Sequence, residues 1–188
     1  MVRRMRGSRP SAAKPAAGVP GSGGGAVASE SERGPASADA YRHLPMNATT
    51  QHASRQLSAS RRKARHYAVQ ALYQWALSGN DIVAIEQQFR EDFDFAGVDL
   101  EYFQAILHGV PAVVSELEAA MNPYLDIPLE KLGPVERAVL RIATWELRER
   151  IDVPWRVVID EAIALTRKFG ATDAHRFVNG VLDKVARD

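Results

Sequence analysis

The sequence predicts an all-α protein made of two small helical bundles packed together. Three observations predict it. From Ser60 onward the apolar residues recur at helical spacing rather than alternating. Each recurrent run is bounded by Gly, Pro or Asp. Between the runs no strand or hairpin signal remains.

The first helix is expected over about 60–78, with Ala64, Ala68, Ala71, Leu72 and Trp75 on one face and Gly79 as its stop. Asp81 caps a second helix, whose stripe is Ile82, Ile85 and Phe89. Asp99 caps a third, carrying Phe103, Ile106, Leu107, Val110, Val113, Val114 and Leu117. Gly109 and Pro111 interrupt that helix without breaking its period, which predicts a kink or a short break. A connection follows through Asn122-Pro123-Tyr124 and Ile127-Pro128-Leu129. Gly133-Pro134 opens a fourth helix with Val135, Val139, Ile142, Ala143 and Leu147 in its stripe. Pro154 opens a fifth, with Val158, Ile159, Ala162, Leu165 and Phe169, closed by Gly170. Thr172 or Asp173 caps a sixth, with Phe177, Val178, Val181, Leu182 and Val185. The two bundles divide at about 58–122 and 123–188.

Composition separates this folded unit from what precedes it. The 188-residue chain has a net charge of +1, but residues 1–57 carry +5 and residues 58–188 carry −4. Tyr41 is the only aromatic residue before Ser58, and seven of the 13 glycines lie there. So few large apolar side chains cannot offset the entropy of ordering, so 1–57 is expected to be a disordered extension. Its Arg-rich start faintly resembles an organellar transit peptide, but it lacks the apolar region of a secretory signal. Gly21-Ser22-Gly23-Gly24-Gly25-Ala26 fits a dinucleotide-loop pattern by letter, without the strand and helix that would give it meaning. A translation start at Met46 would leave only a short lead into the domain.

The same composition excludes several function classes. With no cysteine there is no disulfide, thiolate zinc site, iron–sulfur cluster or cysteine nucleophile. No run of about 18 apolar residues could span a membrane, and a cytoplasmic protein is expected. The five histidines, at 43, 52, 66, 108 and 175, form no metal-ligand spacing. His108 and Glu101 share a helix face only as chance allows, and the adjacent Asp160 and Glu161 diverge by about 100° on a helix, as solvated charges do. No P-loop or nucleophile elbow is present. Neither a catalytic residue, a metal nor a cofactor is expected.

Two features of the first helix point to binding instead. Arg61, Arg62, Lys63 and Arg65 form a basic cluster on an acidic body. At the start of a helix they would oppose the dipole, unless an anion meets them together with free helix amides. As an ordinary junction, the cluster merely continues the basic extension. If all four met phosphates of a single strand, log affinity against log salt would slope about −2.8, and replacing Arg61 and Arg65 would flatten it without loss of stability. The second feature is a second apolar face. With Ala71 at zero and about 100° per residue, the core stripe centres at about 40°, whereas Val69, Tyr73 and Leu77 fall at about 160°, about 200° and about 240°. Another helix of the fold or a partner protein would cover that face, with Val69 at the rim of the core.

Five blocks carry a family resemblance. They are Arg61-Arg62-Lys63-Ala64-Arg65, Ala68-Val69-Gln70-Ala71-Leu72-Tyr73-Gln74-Trp75, Glu136-Arg137-Ala138-Val139-Leu140-Arg141-Ile142-Ala143, Asp160-Glu161-Ala162-Ile163 and Phe177-Val178-Asn179-Gly180-Val181-Leu182-Asp183. In order and spacing they resemble the bacterial transcription antitermination factors of the NusB family, over about 60–188. Residues 1–57 have no counterpart in the short family N-terminus, and Pro111 departs from the family pattern.

The resemblance implies a two-subdomain helical protein that binds single-stranded boxA RNA of nascent ribosomal RNA leaders. It would do so with NusE, a small-subunit ribosomal protein, and join NusA and NusG on RNA polymerase to support terminator-resistant transcription. It places RNA contacts on Arg61, Arg62, Lys63 and Arg65 and on Tyr124, Lys168, Asp173, Arg176 and Phe177. On periodicity alone Phe177 belongs with the core stripe. Tyr124, in a proline-bounded loop, could stack on a base. The resemblance places NusE on Tyr73, Leu77, Glu130 and Glu136.

Two other readings stay open. NusB-like RNA-binding modules also precede ribosomal RNA methyltransferases, although no Rossmann-like segment or catalytic cysteine follows here. A helical DNA-binding regulator would need a basic recognition helix, whereas the late helices mix signs.

Overall fold

The computed structural model describes residues 48–188, all in helices, turns and connections with no strand among them. Most of the sequence assigned to the extension, with the glycine run and Met46, lies at 1–47, outside the described residues. Seven helices follow in order: α1 (Ala48–Ser78), α2 (Ile82–Asp92), α3 (Leu100–Ala112), α4 (Val114–Met121), α5 (Pro134–Glu149), α6 (Trp155–Phe169) and α7 (Ala174–Val185). Short 3-10 turns at Asn122–Tyr124 and Leu129–Lys131 make the connection between α4 and α5.

The largest departure from expectation is the start of α1. It is already helical at Ala48, the first described residue, not only from near 60, so residues 48–57 are helical rather than part of an irregular tail. Every side chain from 48 to 59 is exposed. A helical run without an apolar face leaves no hydrophobic period to read, which is why it escapes the sequence pattern. At its other end α1 stops where expected. Gly79 takes a left-handed φ of 65° and its N–H donates to the Trp75 carbonyl.

Local signals place several of the remaining ends, although Asp81 and Asp173 stand before α2 and α7 without a side-chain capping bond. Asp99 caps α3 by accepting a 3.0 Å hydrogen bond from the Tyr102 amide. The expected interruption falls at Val113, whose φ of −126° and ψ of 25° separate α3 from α4 two residues after Pro111. Pro111 has no N–H to offer the Leu107 carbonyl, and the helix ends one residue further on. Pro134 occupies the first turn of α5, where its missing donor costs nothing.

The N-terminal helices and α5–α7 form two bundles over one continuous apolar core. Its fully buried members include Leu72 of α1, Phe103, Ile106 and Leu107 of α3, Leu140 and Ile142 of α5, and Leu182 of α7. α5 runs through the middle, in contact with α1, α3, α4, α6 and α7. It buries Ala138, Val139, Leu140, Ile142, Ala143, Thr144 and Trp145, a wider surface than the single stripe expected from the sequence. Gly109 admits this helix: a Cβ there would lie 2.6 Å from the indole Nε1 of Trp145. No described helix is long and apolar enough to cross a membrane.

Candidate nucleic-acid and partner interface

With α1 already helical from Ala48, the basic cluster lies in mid-helix, where backbone amides are bonded within the helix. The expected convergence of free amides on an anion is therefore overturned. Instead, each of the four cations has an internal partner. Arg61 pairs with Asp152 at 3.0 Å and with the capping Asp99 at 3.6 Å. Arg62 grips Glu161 of α6 through Nε and Nη2 at 2.8–3.2 Å. Lys63 donates to the Ala96 carbonyl at 3.1 Å.

Arg65 is the clearest correction. Its side chain is 3% exposed and bonded through Nε and Nη2 to Glu146, itself 1% exposed. Burial would lower the pKa of Arg65, but the charge and hydrogen bonds of Glu146 outweigh it and raise it. Tyr102 completes the cluster. Its hydroxyl bonds to Glu146 and accepts from Arg65 Nη2, while Arg61, Arg65 and Arg150 lie 4.5–5.1 Å from its ring centroid. Burial, then the Glu146 charge, pushes the Tyr102 phenol far above its ordinary pKa. Arg65 is a core residue and cannot meet a phosphate in this structure.

The structure gathers a different set on the surface. Arg62, Lys63 and Lys168 line one hollow of about 430 Å³ with His66, Tyr67, Asp94 and Ala96. The Arg62 side chain remains 67% exposed despite its pairing with Glu161. The His66 ring lies 4.7 Å from Phe169 and 5.6 Å from Tyr67. Burial, and secondarily the Lys168 charge, lower the His66 pKa below its usual value. The sequence pattern singles out neither His66 nor Tyr67 as a contact. Their spacing of one and two residues after Arg65 is the available signal.

The other expected contacts are spread along α7. Asp173, at a left-handed φ of 61°, and Arg176 form an exposed ion pair at 3.6 Å at its start. Phe177 is half-buried against the core. Tyr124 is bonded through its hydroxyl to Asp188, beyond the far end of α7, and that carboxylate raises the phenol pKa. The structure thus does not bring Tyr124 to the hollow beside Lys168.

The second face of α1 divides as the helical arithmetic suggests. Val69 is buried, whereas Tyr73 and Leu77 are 37% and 61% exposed. Both line a groove of about 730 Å³ with Gln88 and Phe93, Val135 and Phe169. Glu130 is exposed on the turn before α5 but does not line this groove. Glu136 is a second correction. It is buried, and its carboxylate accepts a 2.8 Å hydrogen bond from the Ala171 amide, tying α5 to the α6–α7 turn. Its charge is directed inward rather than toward a partner. Glu161 likewise is buried against Arg62, not solvated, and His108 pairs with Glu86 at 2.7 Å rather than facing Glu101. Among the described residues no group of acids and histidines is arranged to hold a metal.

A basic hollow edged by aromatic rings, followed along the same face of α1 by an apolar groove, gives this all-helical chain two surfaces open to binding. The NusB family model matches residues 62–187. The transcription antitermination protein NusB of Pseudomonas putida (strain W619) is 59% identical over 129 residues, covering 69% of this chain and 78% of that protein. A solved NusB from T. maritima superposes with a TM-score of 0.60 at 32% identity, covering 68% of this chain and 91% of that one. A crystal structure of the antitermination factors NusB and NusE in complex with double-stranded RNA matches with a TM-score of 0.59 at 26% identity, covering 68% and 96%. The chain belongs to the NusB family.

Proposed function

We propose that this chain is a transcription antitermination factor that binds boxA RNA of nascent ribosomal RNA leaders together with NusE. Arg62, Lys63 and Lys168 hold the phosphates, and His66 and Tyr67 offer rings at the same hollow. Arg61 stiffens that surface from within through Asp99 and Asp152. Asp173 and Arg176 extend the contact, the carboxylate accepting from a base amine or a ribose 2′-hydroxyl, with Phe177 behind them and Tyr124 stacking further along. NusE seats on the groove of Tyr73 and Leu77, with Glu130 facing its basic surface. The pair acts in the cytoplasm, on RNA polymerase with NusA and NusG, and no catalytic step is assigned to it.

The observation that carries this reading is the gathering of Arg62, Lys63 and Lys168 at one hollow in a chain whose 62–187 match the NusB family. The methyltransferase-module reading is less favoured, since the relatives that this chain matches at 57–59% identity are named as transcription antitermination proteins. A DNA regulator would need a basic recognition helix, yet the exposed Arg176 of α7 is paired with Asp173. The test is a titration of the full chain with boxA-type single-stranded RNA, with and without NusE, beside the same sequence as double-stranded RNA and as duplex DNA. The reading requires tighter binding to the single strand, strengthened by NusE. Equal affinity for all three would contradict it.

A further inference from the structure

α1 extends upstream of the family match, from Ala48 to Arg61. The helix carries five Lys/Arg and no Asp or Glu in its 31 residues. Four of those cations are the ones given internal partners above. The fifth, Arg55, is exposed and makes no hydrogen bond or ion pair among the described residues. Its position is not arbitrary. On the scale that puts Ala71 at zero, Arg55 falls at about 200°, Arg62 at about 180° and His66 at about 220°. The three form one stripe on the face turned away from the core, and Tyr73, at about 200°, continues it. Arg55 precedes Arg62 by seven residues, about 10 Å along the axis.

A cation on the open continuation of that stripe, with no acid on its own helix, gains neither packing nor an ion pair. A strand of phosphates reverses that balance. We infer that the polyanion track of this chain runs past the family domain onto the part of α1 upstream of Arg61, where Arg55 holds one further phosphate of the same single-stranded RNA. This rests on the RNA-binding reading above and deepens it. The occupant follows from continuity with the hollow at Arg62 and from charge, since residues 48–60 contain no acid.

The experiment uses the full chain and boxA-type single-stranded RNA carrying several flanking nucleotides on each side, titrated across a salt series. Three variants are compared with the parent: Arg55→Gln, Gln56→Pro and Lys63→Ala. Arg55→Gln should reduce the slope of log affinity against log salt by about 0.7, the share of one phosphate on a single strand. Gln56→Pro keeps the charge but breaks the helix before it reaches Arg55, and should lose the same share. An unchanged slope for Arg55→Gln, while Lys63→Ala lowers it, would overturn the extension and leave the RNA-binding reading intact. A full slope in Gln56→Pro would overturn the helical placement. An equal Arg55 effect on duplex DNA or on anionic vesicles would overturn the single strand as occupant. Absence of RNA binding by the parent chain would overturn both readings.

Discussion

The Arg65 guanidinium and the Glu146 carboxylate form a buried ion pair at 2.8 Å that joins α1 to α5, 81 residues apart in sequence. It turns one of the most basic stretches of the chain into part of its core. Removing one partner strands the other charge where water cannot reach it. Arg65→Met should therefore cost about 3–5 kcal/mol, while Arg65→Met combined with Glu146→Leu should recover much of the loss. Urea denaturation of both variants checks this. An unchanged unfolding midpoint in Arg65→Met would place the residue at the surface.

Gly109 predicts a different kind of damage. A methyl group there meets the Trp145 indole, and overpacking of a tight helix crossing costs about 1–3 kcal/mol. Gly109→Ala should unfold at lower urea concentration, and Gly109→Ala with Trp145→Phe should recover part of the loss. Destabilisation untouched by the second change would mean that the indole is not the obstacle.

Tyr73 separates partner from core. As a half-exposed ring at the groove, it should cost NusE binding about 1–3 kcal/mol when changed to Ala. The isolated chain should lose well under the about 3–5 kcal/mol of a buried aromatic. Thermal unfolding of the variant and its NusE titration decide together. A large loss of stability with normal NusE affinity would assign Tyr73 to packing.

On the proposed RNA contact, His66 should make binding depend on pH. Its pKa in the free protein is depressed by burial and by Lys168, with Arg62 and Lys63 lining the same hollow on α1 and Asp94 facing it from the α2–α3 connection. The free protein therefore loses stability as pH falls below the unfolded value of about 6.5 toward the depressed folded one. A phosphate in the hollow favours the imidazolium, so the complex takes up a proton. RNA affinity should rise as pH falls from about 7.5 to about 6. His66→Gln should flatten that rise. A pH-independent affinity in the parent chain would remove His66 from the contact.

The helices are readable where an apolar stripe or a capping residue marks them, as at Asp99, Pro134 and Gly79. The stretch of α1 over 48–59 is not, because those residues bury nothing. The basic cluster is only half readable. The arithmetic that exposes Tyr73 puts Arg61 at about 80° and Arg65 at about 120°, toward the core stripe at about 40°. It puts Arg62 at about 180° and Lys63 at about 280°, away from that stripe. The inward cations are thus sorted from the outward ones. Their partners are not legible, since Glu146 and Glu161 lie 81 and 99 residues away. For the same reason nothing local shows that Glu136 reaches the Ala171 amide.

The central claim, that RNA meets this chain at the exposed hollow between α1 and α6, is tested most directly by a salt titration of boxA-type RNA against Lys63→Ala with Lys168→Ala. Both side chains are exposed, so the melting temperature should hold. The slope of log affinity against log salt should fall by about 1.4, two phosphates of a single strand. An unchanged slope with intact fold would contradict the account and move the RNA to another face.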